Sequence, residues 1–153
     1  MRYTLDTNVL LFYVRDKRTR QFIEDNYAPF GAANTAIISV VSVAEIYSLA
    51  TKHQWGSTKR RAIEQLIEDL IVVEVRYQDL IDAYVELETY SNKSHPIKSK
   101  LGSAVKMGKN DLWIAATASV TQSKLITSDG DFDHLNDEYF EVIKYRNQDS
   151  ITP

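Results

Sequence analysis

The sequence predicts an α/β fold, a three-layer sandwich in which helices flank a mainly parallel central sheet. Apolar, strand-like runs alternate with segments of helical periodicity, which is the pattern of successive parallel βαβ units. The first run, residues 3–5, ends at Asp6 and is followed by a helical run from Val9. No repeat, low-complexity tract or linker interrupts this alternation, so we expect one domain spanning residues 1–153.

Each predicted element follows from local patterning. The other strands are short apolar runs, at 36–40, 71–75, 125–127 and 140–145. The helices have a 3.6-residue apolar period or small residues on one face, and they begin near residues 9, 21, 42, 57, 79 and 111. Ser42 lies three residues before Glu45, the spacing of a capping box, which predicts a helix start there. Residues 91–109 lack periodicity, and we expect a loop.

Composition restricts the chemistry that the chain can carry. There is no cysteine, which excludes disulfides, a thiolate nucleophile and a thiolate metal site, and there are only 3 histidines. A metal ion would therefore have oxygen ligands, which favours Mg²⁺ or Mn²⁺. The net charge of -3 argues against a general nucleic-acid coat protein but allows a local basic patch. No signal peptide or membrane-spanning run is evident, and we expect a cytoplasmic protein without membrane contact.

Four carboxylates follow predicted strands or begin predicted helices: Asp6, Glu45, Asp111 and Asp129. The carboxyl ends of parallel strands lie at one edge of the sheet, where α/β proteins bind ligands, so we expect these side chains to converge. Two like charges ~4 Å apart repel by about 4 kcal/mol at an effective dielectric of about 20, so convergence requires a divalent cation or raised pKa values. A Mg²⁺ or Mn²⁺ ion there suits phosphodiester hydrolysis by an activated water.

Each carboxylate also has a purely structural interpretation. Asp6 would cap a helix, and Glu45 would complete the capping box. Asp111 would complement a helix dipole, and residues 129–131 would form an ordinary turn. The ordered set of four, rather than any single member, predicts a metal-dependent site.

Two other families fit the acidic motifs less well. Asp6-Thr7-Asn8 has Asn8 where haloacid-dehalogenase-like phosphatases have a second aspartate. The segment from Asp129 begins with the spacing of a calcium loop. An EF-hand needs Gly at its sixth position and Glu at its twelfth, where this chain has His134 and Phe140.

The acidic motifs together resemble those of PIN-domain nucleases, in particular the VapC-type toxins of bacterial toxin–antitoxin pairs. Four short motifs occur in the family's order, namely Leu5-Asp6-Thr7-Asn8-Val9-Leu10, Ser42-Val43-Ala44-Glu45-Ile46, Asn110-Asp111-Leu112-Trp113-Ile114-Ala115-Ala116-Thr117-Ala118 and Thr127-Ser128-Asp129-Gly130-Asp131-Phe132. The resemblance implies a PIN-like sandwich, an endoribonuclease that uses Mg²⁺ or Mn²⁺, a homodimer, and a small antitoxin that blocks the site.

The resemblance also implies roles for individual residues. Asp6, Asp111 and Asp129 would ligate the metal, and Glu45 would bind it directly or through water. Polar groups that support these ligands would be Asn8, Thr127 and Asp131, with ligation by Asp131 itself left open.

A lysine-rich stretch, residues 91–109, leads directly into the third motif and contains no acidic residue. We expect RNA phosphates to contact its lysines, of which the candidates are Lys98, Lys100, Lys106 and Lys109. The alternative is a solvated loop without that role.

Three functions are compatible with this sequence. The first is a metal-dependent endoribonuclease that acts as the toxin of a toxin–antitoxin pair. The second is a PIN nuclease that processes RNA without being a toxin. The third is a non-catalytic PIN-like domain that binds a cation or a basic partner at its acidic edge.

Overall fold

Five parallel strands form the centre of the fold in the computed structural model, which describes residues 1–146. They are β1 (Arg2–Leu5), β2 (Thr35–Ser39), β3 (Ile71–Val73), β4 (Lys124–Thr127) and β5 (Val142–Lys144). Their order is β3-β2-β1-β4-β5, and all neighbouring pairs are parallel. The first strand is therefore central, with β2 on one side and β4 on the other. Positions 147–153 of the predicted domain lie outside the described residues.

Helices cover both faces of this sheet. They are α1 (Thr7–Arg15), α2 (Lys17–Asn26), α3 (Val40–Lys52), α4 (Ser57–Glu68), α5 (Gln78–Ser91) and α6 (Lys109–Thr121), with a 3₁₀ helix at Gly130–Leu135. Successive strand residues point to opposite faces. Leu5 and Ile126 pack with α1 to α4, whereas Leu125 packs with α5 and α6. The predicted three-layer sandwich is thus confirmed.

The predicted capping box at the start of α3 is wrong. The helix begins at Val40, and its N-cap, Ser39, makes no side-chain cap bond. Ser42 is consequently buried inside the first turn, and Glu45 accepts a hydrogen bond from Thr7 instead. The helix starts early because the chain leaves β2 directly into it, with no intervening loop.

Other boundaries differ by a few residues. Helix α2 begins at Lys17 rather than near residue 21, because the Asp16 carboxylate accepts hydrogen bonds from the backbone N–H groups of Arg18 and Thr19. Strands β3 and β5 are shorter than predicted. The loop expected at 91–109 is present between α5 and α6. Within residues 1–146, none of the helices combines the length and the apolar character that a membrane crossing requires.

Candidate active site

The four predicted carboxylates lie around the carboxyl ends of the central strands. Asp6 directly follows β1, and Asp129 lies two residues beyond β4. Glu45 comes from the second turn of α3, and Asp111 from the first turn of α6. The strand β2 lies on one side of β1, and β4 lies on the other, so the strand order reverses at β1. Open α/β sheets bind ligands at such a switch point, beyond the carboxyl ends of the strands.

Asp6 is held at the centre of this edge. It is only 4% exposed, and its carboxylate makes no capping hydrogen bond to α1. The Thr127 hydroxyl donates to Asp6 Oδ2 at 2.7 Å. Burial raises the pKa of Asp6, and the nearby charges of Asp129 and Glu45 raise it further, against the lowering effect of the hydrogen bonds from Thr127 and the Thr7 backbone.

Asp111 lies within the electrostatic reach of the other acids. Burial raises its pKa to about 6, and the charges of Asp6, Asp129, Asp131 and Glu45 contribute to the same rise. These effects on Asp6 and Asp111 show that the structure brings all four predicted ligands, together with Asp131, into one electrostatic neighbourhood.

Gly108, the N-cap of α6, lies directly beneath the Asp111 carboxylate. A Cβ atom at this position would lie 2.8 Å from Asp111 Oδ2, closer than real Cβ atoms approach other heavy atoms. The absence of a side chain at residue 108 therefore sets where the carboxylate can lie. Nothing in the sequence except its place three residues before Asp111 marks this glycine.

Two threonines orient the remaining acids. Thr7 Oγ1 donates to Glu45 Oε2 at 2.7 Å, a contact that the sequence did not predict. Thr127 Oγ1, which donates to Asp6, also accepts from the backbone N–H of Asp129 at 2.9 Å. Thr127 thus ties two of the predicted ligands together.

Asp131 and Asn8 are placed differently from Thr127. The backbone N–H of Asp131 donates to Asp129 Oδ1 at 2.9 Å, while the Asp131 side chain is exposed. Phe132, next to it, is fully buried and anchors the 3₁₀ helix. Asn8 is exposed and, within residues 1–146, forms no hydrogen bond with the four acids, so its supporting role stays a prediction.

The four carboxylates of this site form no ion pair within residues 1–146, although the Lys144 ammonium donates to the backbone carbonyl of Asp129. In the described part of the chain, no Lys, Arg or His forms an ion pair with Asp6, Glu45, Asp111 or Asp129. The same residues contain no group of three or more acids or histidines placed so that it could hold a metal ion. The donor set is made only of carboxylate oxygens, and the pKa values of Asp6 and Asp111 are raised, so its chemistry fits a hard divalent cation.

Two of the four lysines predicted to contact RNA are bound within the protein. Lys100 is buried, and its ammonium donates to two loop carbonyls at 3.1 and 2.6 Å. Lys98 lies 3.7 Å from each of two carboxylates and 4.1 Å from the centre of the Tyr139 ring. Lys106 and Lys109 are exposed and form no ion pair within residues 1–146.

Comparison with solved structures shows the same fold in several complexes. VapBC2 from Rickettsia felis, bound to a promoter DNA fragment, has a TM-score of 0.71 at 18% identity, covering 95% of this chain and 100% of that chain. VapBC-1 from nontypeable Haemophilus influenzae has a TM-score of 0.69 at 25% identity, covering 94% and 98%. VapBC-5 from Mycobacterium tuberculosis, a member of the VapBC family of toxin–antitoxin systems, has a TM-score of 0.61 at 22% identity, covering 94% and 98%.

Sequence comparison identifies the family. No curated protein gives a significant match to the sequence. The sequence model of the PIN domain family matches residues 3–138, a span that includes all four acidic motifs. Because this match covers most of the chain, and the fold agrees with it, the protein belongs to the PIN-domain family, as its motifs predicted.

Proposed function

We propose that this protein is an endoribonuclease that hydrolyses RNA phosphodiester bonds with Mg²⁺ or Mn²⁺, and that it is the toxin of a toxin–antitoxin pair. The observation that carries the proposal is the convergence of four carboxylates that form no ion pair in the described residues. Membership of the PIN-domain family, whose members are nucleases, supports hydrolysis as the reaction class. The complexes with the same fold support the toxin role.

The four acids share one task in this proposal. Asp6, Asp111 and Asp129 would hold the ion, and Glu45 would bind it directly or through water. The bound ion supplies an activated water and offsets the charge of the phosphate. Thr127 keeps the Asp6 carboxylate in position, and Thr7 fixes one oxygen of Glu45 while leaving the other free.

Two protein partners belong to the proposal. A small antitoxin would cover the acidic site and block access of RNA. A second copy of the chain would cover the outer face of α5, where Ile81 is 38% and Val85 51% exposed, and where Tyr77 at the helix start is 51% exposed. A cytoplasmic location follows from the RNA substrate. Light scattering of the purified protein with and without the antitoxin measures both assemblies.

The central test is RNA cleavage by the wild type, Asp6→Ala and Asp111→Ala, with Mg²⁺ or Mn²⁺ and then with EDTA. We expect metal-dependent cleavage that both variants lose while their circular dichroism spectra stay like the wild type's. Cleavage that persists in EDTA, or in both variants, would contradict the mechanism. Metal binding without any cleavage would support the non-catalytic alternative.

A second test separates a toxin from a nuclease that processes RNA. Expression of a toxin arrests growth, and co-expression of a small open reading frame from the neighbouring gene relieves the arrest. Normal growth at high expression of the active enzyme would contradict the toxin role and leave the nuclease proposal intact.

A further inference from the structure

A cavity of about 320 Å³ lies between the end of α5, the loop that follows it and the start of α6. Lys109 and Leu112, which line it, lie on either side of Asp111 in the first turn of α6. Consecutive helix residues are separated by about 100° around the axis. The cavity therefore opens beside the helical turn that carries Asp111.

The floor of the cavity is apolar and well packed. Met107 is 8% exposed and Leu112 is 2% exposed, and both belong to the core on this side of the sheet. Small-molecule sites usually combine such a floor with a few polar groups, and they enclose roughly 300–1,000 Å³. At the lower end of that range, this cavity has room for one nucleobase, either a pyrimidine or a purine.

The rim carries charges that are not used inside the protein. Lys106 and Lys109 are exposed and have no ion pair within residues 1–146. Exposed lysines beside an acidic catalytic edge suit the phosphates of a strand that passes that edge. Glu88 and Asn92 line the same cavity and offer hydrogen-bond acceptors, with Asn92 also offering donors.

The loop that forms one wall is held in place without a ligand. Buried Lys100 donates to two loop carbonyls, and Lys93 Nζ donates to the carbonyl of Gly102 at 2.8 Å. Gly102 has φ +73°, a left-handed conformation that favours glycine and closes the turn. Val105 N–H donates to the carbonyl of Ser91 at 2.8 Å and ties the loop to α5. The wall therefore needs little further ordering when a ligand binds, which keeps the entropy cost of binding low.

We propose that this cavity binds one nucleotide of the RNA strand next to the cleaved bond, a role that rests on the proposed nuclease function. The base lies against Met107 and Leu112, and the adjoining phosphates contact Lys106 and Lys109. Glu88 accepts a hydrogen bond from an exocyclic amino group, so the cavity favours adenine, cytosine or guanine over uracil. The lysines of the loop thus have two separate roles, since Lys93, Lys98 and Lys100 hold the loop and the other two hold RNA.

The test pairs a filled cavity with RNA that lacks one base. Ala104 is exposed and lines the cavity, so Ala104→Phe fills it from the solvent side. Ala32→Phe is the control, because Ala32 is also exposed but lies before β2, at the amino end of the sheet. A set of single-stranded RNAs, each abasic at a different position, is cleaved by wild type and both variants, and kcat/KM is measured.

For the wild type, we expect one abasic position beside the cleaved bond to lower kcat/KM about tenfold, the effect of losing one base contact. Ala104→Phe should lower kcat/KM for intact RNA by the same factor and show no further loss with that abasic RNA. The control should behave as the wild type. An undiminished abasic penalty in Ala104→Phe, or intact RNA cleaved at the wild-type rate, would overturn the assignment while leaving the nuclease function in place.

A second pair of variants tests the phosphate contacts without changing the cavity volume. Lys106→Ala with Lys109→Ala should flatten the salt dependence of log kcat/KM by about 0.7 for each lost phosphate contact. Lys52→Ala, an exposed lysine in the last turn of α3, should leave the slope unchanged. An unaltered slope in the double variant would refute the rim contacts. A wild-type protein that cleaves no RNA with either metal would reject the proposed function itself, and this inference with it.

Discussion

Gly108→Ala is expected to weaken the active site without weakening the fold. The new Cβ would lie 2.8 Å from Asp111 Oδ2, whereas ordinary contact begins at 3.4 Å, so the carboxylate must move by about 0.6 Å. Ligand distances in a working metal site vary by only about 0.2 Å, and a misplacement of about 1 Å in a catalytic group lowers rates about 100-fold. We therefore expect metal affinity and kcat/KM to fall by about 10- to 100-fold.

Stability should change little in the same variant. Gly108 has φ -64° and ψ 152°, extended values that alanine adopts without strain. Alanine reduces the conformational entropy of the unfolded chain, which raises the free energy of unfolding by about 0.4–1 kcal/mol. Alanine is also a poorer N-cap than glycine, which lowers the free energy of unfolding by about the same amount. Urea denaturation should thus give a free energy of unfolding within about 1 kcal/mol of the wild type's.

The chain contains a matched control for this substitution. Gly56 is the N-cap of α4 with φ -67° and ψ 165°, and a Cβ there would meet nothing within 4 Å. Gly56→Ala therefore repeats the change in backbone and cap without the clash. Isothermal titration with Mn²⁺ and a cleavage assay compare the two variants. Wild-type binding and rate in Gly108→Ala, or an equal loss in Gly56→Ala, would refute the steric explanation.

Three further predictions concern the acids and the buried hydroxyl groups. The pKa of Asp111 is raised to about 6, so the folded protein binds this proton more tightly than the unfolded chain does; the proton stabilises the fold fully below the ordinary pKa, and this stabilisation is lost as pH rises through 6. In EDTA, Asp111→Asn should therefore melt at a higher temperature than the wild type at pH 7.5, and the difference should shrink toward pH 5. A difference in melting temperature that stays constant with pH would contradict the shift. Thr127→Val removes the donor to Asp6 and should lower the free energy of unfolding by about 2 kcal/mol in urea; no change would mean that this hydrogen bond is absent in solution. Ser39 is buried, and its hydroxyl has no hydrogen-bond partner in the described residues, so Ser39→Ala should leave the free energy of unfolding unchanged or raise it. Ser123→Ala loses a 2.6 Å hydrogen bond and should lower the free energy of unfolding by about 1 kcal/mol. Equal losses of stability in these two serine variants would contradict the assignment.

The predictable part of this protein is the part that local patterning controls. Apolar runs identified the strands that end at Asp6 and near Asp129, and the geometry of parallel sheets then implied that acids at their carboxyl ends would meet. The position of Asp111 in a first helical turn followed from the small-residue helix behind it. The order of strands across the sheet was not predicted, because it depends on pairing between distant segments.

Side-chain burial accounts for most of what the sequence could not supply. Lys100 and Lys106 look alike as charges in one loop, but the stem of Lys100 is buried and its ammonium serves two carbonyls. Ser42 has the spacing of a helix cap, yet the preceding strand passes straight into the helix at Val40, so Ser42 lies inside the helix rather than at its start. Gly56 and Gly108 both precede helices, and only the packing of Asp111 distinguishes them.

The central position of β1 has a consequence for synthesis of the protein. This strand is made long before one of its two neighbours, β4, which begins only at Lys124, and the last acid of the site follows at Asp129. Pairing over such a distance in sequence is slow to form and cannot start before the later segment exists. A chain that is truncated upstream of Asp129 therefore lacks one of the four carboxylates of the candidate site. The site cannot be complete before that residue has been made.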